Sequence, residues 1–89
     1  MIEALLTIVN PLGLHARPAA KLVDCCASFS SDITLIYDGK EIDAKSIMSV
    51  LMLAAPYGAQ INASISGHDE QRAEEALQQL FASGFGELE

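Results

Sequence analysis

The stretch "QINASIS", residues 60–66, decides the fold because it alternates between apolar and polar residues without a break. Successive side chains of a strand point to opposite faces, so Ile61, Ala63 and Ile65 share one face and the polar residues share the other. A strand with one apolar and one polar face is typical of an antiparallel sheet that is covered on one side only. We therefore expect helices on one face of the sheet and solvent on the other.

Three more segments predict strands. Residues 2–9, "IEALLTIV", are apolar at nearly every position, as a central strand of the sheet would be. Residues 32–37, "DITLIY", and 40–44, "KEIDA", flank Asp38-Gly39. An Asp-Gly pair between two strand-like segments indicates a hairpin with a two-residue turn.

Three segments predict helices. Residues 16–28, and the segment between Asp69 and Ser83-Gly84, each carry an apolar stripe at helical spacing, and residues 46–54 form a short helix that ends before Pro56 and Gly58. We expect Asp69 to be the N-cap of the last helix and Gly84 to be its left-handed C′ residue. The stripes consist of Ala19, Leu22, Val23 and Cys26 in the first helix and of Ala73, Ala76, Leu77, Leu80 and Phe81 in the last.

The predicted order is β-α-β-β-α-β-α. This order, with one polar sheet face, predicts an α+β fold: an open-faced two-layer sandwich of a four-stranded antiparallel sheet with three helices on one face. A length of 89 residues predicts a single domain over residues 1–89, near the lower end of what one hydrophobic core can stabilise.

Charge and hydropathy exclude two classes of partner. The net charge is −7, whereas proteins that bind phosphate backbones need a basic surface, so we expect no nucleic acid partner. No apolar run approaches the roughly 20 residues that span a bilayer, and no basic segment with a cleavage site opens the chain, so we expect neither membrane insertion nor a signal peptide.

The two cysteines, Cys25 and Cys26, are adjacent within the predicted first helix. Neighbouring helical residues point about 100° apart, so a disulfide between them would be strained. We expect reduced thiols, one in the core and one nearer the surface, in a cytoplasmic protein. A redox role would need a further cysteine, and the sequence has none.

The segment "NPLGLHARPAAKLV", residues 10–23, places a histidine where a turn runs into the first helix. The first turn of a helix has unpaired N–H groups and a partial positive charge, which together attract anions. Pro18 has no backbone N–H, so it leaves no unpaired donor in the first turn of the helix. Gly13 lets the backbone bend, and Arg17 supplies a guanidinium suited to phosphate oxygens. Arg17 and Lys21 are two of only five basic residues, whereas the chain after His68 is strongly acidic.

This setting predicts a reactive imidazole at His15. The helix end and Arg17 both disfavour imidazolium, so we expect a neutral ring that can act as a nucleophile at neutral pH. A phosphoryl group on the ring would meet N–H donors and Arg17, which outlines a reversible phosphohistidine site. The alternative from the residues alone is that His15 only caps the helix or lies at the surface.

The motifs "GLHARPAAKLV", residues 13–23, and "KSIMSVLMLAA", residues 45–55, closely resemble HPr, the histidine-containing phosphocarrier family of the bacterial phosphoenolpyruvate-dependent phosphotransferase system. The resemblance spans the whole chain in the same element order, and it implies the same open-faced sandwich. The ending "FASGFGE", residues 81–87, is also similar to the nitrogen-related branch of this family, the NPr proteins.

The resemblance implies the roles of the residues around His15. His15 would accept the phosphoryl group from enzyme I and pass it to enzyme IIA-type domains, and Arg17 would stabilise that group together with the first-turn amides of Ala16 and Arg17. The protein would be a covalent carrier rather than an enzyme, with no metal or cofactor of its own; magnesium and phosphoenolpyruvate would belong to enzyme I. Many relatives have a polar or small residue where this chain has Leu12, so backbone donors would carry more of the binding here.

Ser46 has two interpretations. From its position it is the N-cap of the short helix. From the resemblance it matches the serine that HPr kinase/phosphorylase phosphorylates, and the helix dipole and Lys45 would accommodate a phosphate there. The added negative charge would then lie beside the surface that binds partners.

The resemblance also implies a docking surface for enzyme I and enzyme IIA around His15, on the first two helices. The short helix is apolar almost all round, so part of it is expected to stay exposed. A monomer is the natural state for a carrier that shows one face to successive partners. The docking residues would be Leu14, Ala20, Ile47, Met48 and Leu51.

Two other functions fit the residues. One is a regulatory interaction module in which Ser46 phosphorylation controls binding to a partner. The other is a domain that holds a carboxylate or phosphate non-covalently at the helix end. His68, just before Asp69, is expected to be a surface or capping residue, because no third ligand is spaced to complete a metal site.

Overall fold

The computed structural model describes residues 1–87, and it is an open-faced sandwich of four strands and three helices. The strands are β1 (Ile2–Thr7), β2 (Asp32–Tyr37), β3 (Lys40–Asp43) and β4 (Gln60–Ser66). The helices are α1 (Ala16–Ala27), α2 (Ile47–Leu53) and α3 (Glu70–Ala82), and a short 3-10 turn, Gly84–Gly86, follows α3. The predicted fold and element order are confirmed.

The sheet is antiparallel throughout, with the strand order β1-β4-β2-β3. The prediction that residues 2–9 form a central strand is wrong, because β1 lies at an edge and pairs only with β4. Its side chains alternate instead: Ala4 and Leu6 are buried, whereas Leu5 is 52% exposed on the uncovered face.

The alternation in β4 is confirmed. Ile61, Ala63 and Ile65 are at most 1% exposed and lie under the helices. The core that they share with α1 and α3 includes Leu22, Leu77 and the aromatic pair Phe81 and Phe85, whose ring centroids are 4.8 Å apart.

The turns follow the sequence closely. Asp38 and Gly39 both have a positive φ, 52° and 77°, as a two-residue hairpin turn of this type requires. Gly84 adopts the left-handed conformation after Ser83, the C-cap of α3, with a φ of 63°.

Asp69 occupies the N-cap position of α3, but its side chain does not cap that helix, contrary to the prediction. Its carboxylate accepts hydrogen bonds from the backbone N–H groups of Ser30 and Ser31 and from the Ser31 hydroxyl. Asp69 therefore joins the start of α3 to the loop before β2. These hydrogen bonds, with that of Ser31 the strongest, lower the pKa of Asp69 to about 2.

Candidate functional site

His15 immediately precedes α1 in an extended backbone conformation, with φ −83° and ψ −167°. Its carbonyl accepts the hydrogen bond from Ala19 N–H at 2.9 Å, but its ring makes no capping bond to the helix. The side chain is 39% exposed. The imidazole is therefore not used as a helix cap and can be reached from solvent.

The backbone of the first turn leaves two N–H groups for a ligand. Ala16 and Arg17 are the first helical residues, so no carbonyl lies four positions earlier within the helix to accept their N–H groups. Pro18, the third helical residue, has no N–H. Two donors therefore remain at the positive end of a helix of 12 residues, directly after His15.

The loop before His15 is fixed by backbone hydrogen bonds. Gly13 N–H bonds to the Asn10 carbonyl at 3.1 Å, and Leu14 N–H bonds to the Ala55 carbonyl at 2.9 Å, just beyond α2. Gly13 has a φ of 72°, the left-handed region that favours glycine. The loop is thereby anchored both to itself and to the end of the second helix.

A shallow depression beside His15 carries positive charge. It is lined by Pro11, Leu12, Arg17, Lys21, Gly86 and Glu87. Arg17 is exposed and forms no ion pair within residues 1–87, so its guanidinium is available to an anion. Leu12 is 76% exposed and carries no hydrogen-bonding group into this region.

Glu87 contacts the His15 ring, which the sequence did not predict. Both of its carboxylate oxygens lie 3.1 Å from His15 Nε2, and Asn10 Nδ2 donates to Oε1 at 3.0 Å. Burial raises the pKa of Glu87, but hydrogen bonds from Asn10 and His15, and the charges of His15 and Arg17, outweigh it and bring the pKa below its ordinary 4.5. The one available signal was charge, because the acidic end of the chain complements the basic residues near His15.

Ser46 is the N-cap of α2, as predicted, and its hydroxyl accepts a hydrogen bond of 3.4 Å from Ser49 N–H. The Lys45 ammonium donates one hydrogen bond to the Phe29 carbonyl at 2.8 Å. That Lys45 would also help to hold a phosphate at this position stays a prediction.

The apolar residues of α2 are partly exposed, as expected. Ile47 is 39% exposed and Met48 is 65% exposed, while Leu51 lines a shallow depression next to His15 and Ala16. Ala20 is exposed on α1. Leu14 differs from the prediction, because it is only 4% exposed and packs in the core, so its side chain is not available for contact with a partner.

The remaining predicted residues lie elsewhere. His68 is exposed between β4 and α3, and residues 1–87 contain no cluster of three potential metal ligands. Cys26 is fully buried and Cys25 partly buried, and both are free thiols, as predicted. Burial raises the pKa of Cys26 to about 12, with a smaller contribution from Cys25. No helix of the described chain is both long and apolar enough to cross a bilayer.

Comparison with known proteins defines the class. The family model described as "PTS HPr component phosphorylation site" matches residues 2–83. The chain therefore belongs to the HPr family of phosphocarrier proteins of the phosphotransferase system.

The curated relatives include proteins named HPr and proteins named NPr. The chain is 49% identical to the phosphocarrier protein HPr of Xylella fastidiosa (strain Temecula1) over 87 residues, which are 98% of each chain. It is 46% identical to the phosphocarrier protein NPr of Proteus mirabilis over 81 residues, 90% of each chain.

Solved structures agree with the fold. A crystal structure of HPr-C-His from Thermoanaerobacter tengcongensis matches with a TM-score of 0.95 and 43% identity over the full length of both chains. A structure described as an HPr dimer from the same organism matches with a TM-score of 0.78 and 44% identity, covering 98% of this chain and all of that one.

Proposed function

We propose that this chain is a cytoplasmic phosphocarrier, formed by residues 1–89 as one HPr domain, that accepts a phosphoryl group on His15 from phospho-enzyme I and passes it to enzyme IIA-type domains. The observation that carries the proposal is the His15 ring, exposed beside two unpaired helix N–H groups and free of any capping bond. The reduced state expected of the free thiols Cys25 and Cys26 favours a cytoplasmic protein.

The transfer uses only groups that lie at this site. A ring nitrogen of His15 donates its lone pair to phosphorus while the bond between phosphorus and the donor breaks, and the donor keeps that electron pair. The amides of Ala16 and Arg17 and the Arg17 guanidinium compensate the charge of the transferred group. Because the group leaves again by the same route, the protein carries it without turnover of its own.

Radiolabelled phosphoenolpyruvate with enzyme I tests the acceptor. Wild-type protein should acquire label that is labile in acid and stable in base, and His15→Ala should acquire none. His68→Ala, which removes the other histidine, is the matched control and should label as wild type does. Label on His15→Ala would refute the proposal.

The same assay tests Arg17. Replacing its guanidinium by the neutral amide in Arg17→Gln should slow labelling by about tenfold, because a charge-assisted hydrogen bond to the phosphoryl group is lost. Arg72→Gln removes an exposed arginine at the start of α3 and should leave the rate unchanged. Equal rates for the two variants would show that Arg17 does not contact the transferred group.

We further propose that Ser46 is a regulatory phosphorylation site. Its position at the start of α2 is next to Ile47 and Met48, so a phosphate would place about two negative charges beside the proposed docking residues. Incubation with HPr kinase and ATP, followed by mass spectrometry, should give one phosphate on wild type and none on Ser46→Ala. An unmodified wild type would contradict this assignment.

Docking of enzyme I and enzyme IIA is proposed on the exposed residues Ala20, Ile47 and Met48 and on the partly buried Leu51, which lines a depression with His15. The relative whose structure is described as a dimer makes the oligomeric state a separate question. We propose that the working carrier is a monomer, since both partners must use the surface around His15. Light scattering at assay concentrations should give the monomer mass, and a stable dimer would contradict that.

A further inference from the structure

Glu87 binds the reactive ring from the end of the chain, 72 positions away from His15. Its two carboxylate oxygens are equally distant, at 3.1 Å, from Nε2. The Glu87 side chain is only 15% exposed, whereas the His15 side chain is 39% exposed. The carboxylate therefore lies against Nε2, while part of the His15 side chain stays exposed to solvent.

Asn10 holds this carboxylate in place. Asn10 is fully buried, and its Nδ2 donates both to Glu87 Oε1 at 3.0 Å and to the Gly13 carbonyl at 2.8 Å. Both partners are acceptors, which determines that the nitrogen of the amide faces them. Asn10 thus connects Glu87 to the same loop that positions His15.

The backbone around Glu87 is anchored as well. Phe85 is fully buried against Phe81, and its carbonyl accepts a hydrogen bond of 2.8 Å from the Lys21 ammonium. Both contacts hold the turn that precedes Glu87 against α1 and α3. Glu87 therefore reaches His15 from a fixed segment.

An ionised carboxylate can only accept hydrogen bonds, so it selects the form of the imidazole that has its proton on Nε2. In a neutral ring with that proton, Nδ1 carries the lone pair. The pKa of Glu87 lies below its ordinary value, which is consistent with an ionised side chain at neutral pH. The charged groups that line the depression with Glu87 are Arg17 and Lys21.

We propose that Glu87, supported by Asn10, is a positioning residue that keeps the proton on Nε2 and presents Nδ1 to the phosphoryl group. This inference rests on the proposed function. During transfer the Nδ1–P bond forms, the bond from phosphorus to the donor breaks with its electron pair left on the donor, and the Nε2 proton stays in place. The ring gains positive charge, and the Glu87 carboxylate faces it at Nε2, as an acidic residue does for the histidine of a hydrolase triad.

Nitrogen NMR of the His15 ring in unphosphorylated protein tests the proton position directly. Wild type should show mainly the form with the proton on Nε2 when the ring is neutral. Glu87→Gln should shift the ring toward a mixture of both neutral forms, because an amide can donate as well as accept. Glu41→Gln removes the same charge from an exposed position on β3 and should leave the ring signals unchanged.

Phosphorylation kinetics with enzyme I test the consequence. With the carrier as the substrate of enzyme I, Glu87→Gln should lower the kcat of enzyme I by about tenfold, because a hydrogen bond to a charged partner is lost. The KM of enzyme I for the carrier should be unchanged, because the docking residues remain. Asn10→Ala should shift the ring signals in the same direction, and its circular dichroism verifies that it is folded. A Glu87→Gln variant with the wild-type ring signals and a rate within about twofold of wild type would overturn the inference.

Failure of the two proposals can be told apart. If wild type takes no phosphoryl group from enzyme I, the proposed function is refuted. If wild type is phosphorylated and Glu87→Gln behaves identically in both assays, only the role of Glu87 is refuted.

Discussion

At the scale of single residues, Gly13 has no room for a side chain. A Cβ at this position would lie 2.7 Å from the Ala55 carbonyl oxygen and 2.9 Å from Pro56 Cα, both backbone atoms. Its φ of 72° adds conformational strain for any other residue. Gly13 therefore lets the His15 loop pack directly against the chain that follows α2.

Gly13→Ala should lower the free energy of unfolding by more than about 2 kcal/mol, because the strain of a positive φ and a backbone clash add together. Gly58→Ala is the matched control, since Gly58 has a φ of 85° but nothing within 4 Å of the added Cβ. That variant should lose only about 1 kcal/mol. Denaturant unfolding measures the free energy of unfolding of both variants. Equal decreases would show that the close approach of Gly13 to Ala55 and Pro56 does not add to the cost of a side chain.

Local residues of the site could be predicted from the sequence, and distant ones could not. The positions of Gly13, His15 and Arg17 follow from a turn that runs into a helix, which is a property of neighbouring residues. Glu87 joins the site only through the folded chain, because 72 positions separate it from His15. No local pattern marks a contact of that kind, and the only related feature of the sequence is that acidic residues follow His68 while Arg17 and Lys21 are basic.

At the scale of helices and strands, β1 shows where hydropathy misleads. Four of its six residues are apolar, and yet Leu5 is 52% exposed because one face of the sheet is uncovered. The position of a strand within the sheet depends on its neighbours, and the composition of one strand does not indicate it. In contrast, the hairpin at Asp38-Gly39 and the end of α3 at Gly84 were predictable, since both depend on local turn geometry.

The hydrogen bonds of the Asp69 carboxylate to Ser30 and Ser31 should make the free energy of unfolding depend on pH. In the folded protein the pKa of Asp69 is about 2, below its ordinary value of 3.8. The ionised carboxylate therefore stabilises the fold fully at pH values above 3.8, and this stabilisation is lost as the pH falls through about 2. Asp69→Asn should therefore be less stable than wild type at neutral pH, and the difference should shrink between pH 3.8 and about 2.

Denaturant unfolding of both proteins across this range measures the difference. Asp24→Asn, an exposed position on α1 without a hydrogen-bond partner among residues 1–87, is the control and should change stability little. An Asp69→Asn difference that stays constant with pH would contradict the assigned hydrogen bonds.

The unmodified Ser46 hydroxyl contributes a helix cap to α2. Ser46→Ala should lower the free energy of unfolding by about 0.5 kcal/mol, at the low end for such caps, because the bond to Ser49 N–H is long at 3.4 Å. Ser46→Asp retains a capping side chain and should unfold like wild type in the same denaturant titration. A loss for Ser46→Asp as large as that for Ser46→Ala would show that capping is not what Ser46 provides.

At the scale of the whole molecule, α2 exposes Met48 and lines a depression with His15 through Leu51, whereas Leu5 lies on the open face of the sheet. Met48→Lys should weaken binding to enzyme I by about tenfold, because a buried apolar contact is replaced by a charge at the interface. Leu5→Lys makes a similar change on the open face and should bind as wild type does. Calorimetric titration measures the affinity of both variants for enzyme I. If Met48→Lys and Leu5→Lys bind equally weakly, the interface with enzyme I does not lie on α2.

The overall fold was predictable because its main determinants are periodic. The alternation in β4 required one covered face, and the stripes of α1 and α3 supplied the helices that cover it. The exposure of a particular side chain was less predictable, as Leu14 shows. It precedes His15 directly, yet the anchoring of its backbone to Ala55 turns it into the core.

Reversible transfer through the exposed ring of His15 is the central claim, and a chase experiment measures it most directly. Protein labelled by enzyme I and radioactive phosphoenolpyruvate is freed of unused substrate and then mixed with enzyme I and unlabelled pyruvate. We predict that the label leaves wild type and reappears in phosphoenolpyruvate, and that His15→Ala carries no label to return. Label that stays on the protein under these conditions, or that is found on the His15→Ala variant, would contradict the account.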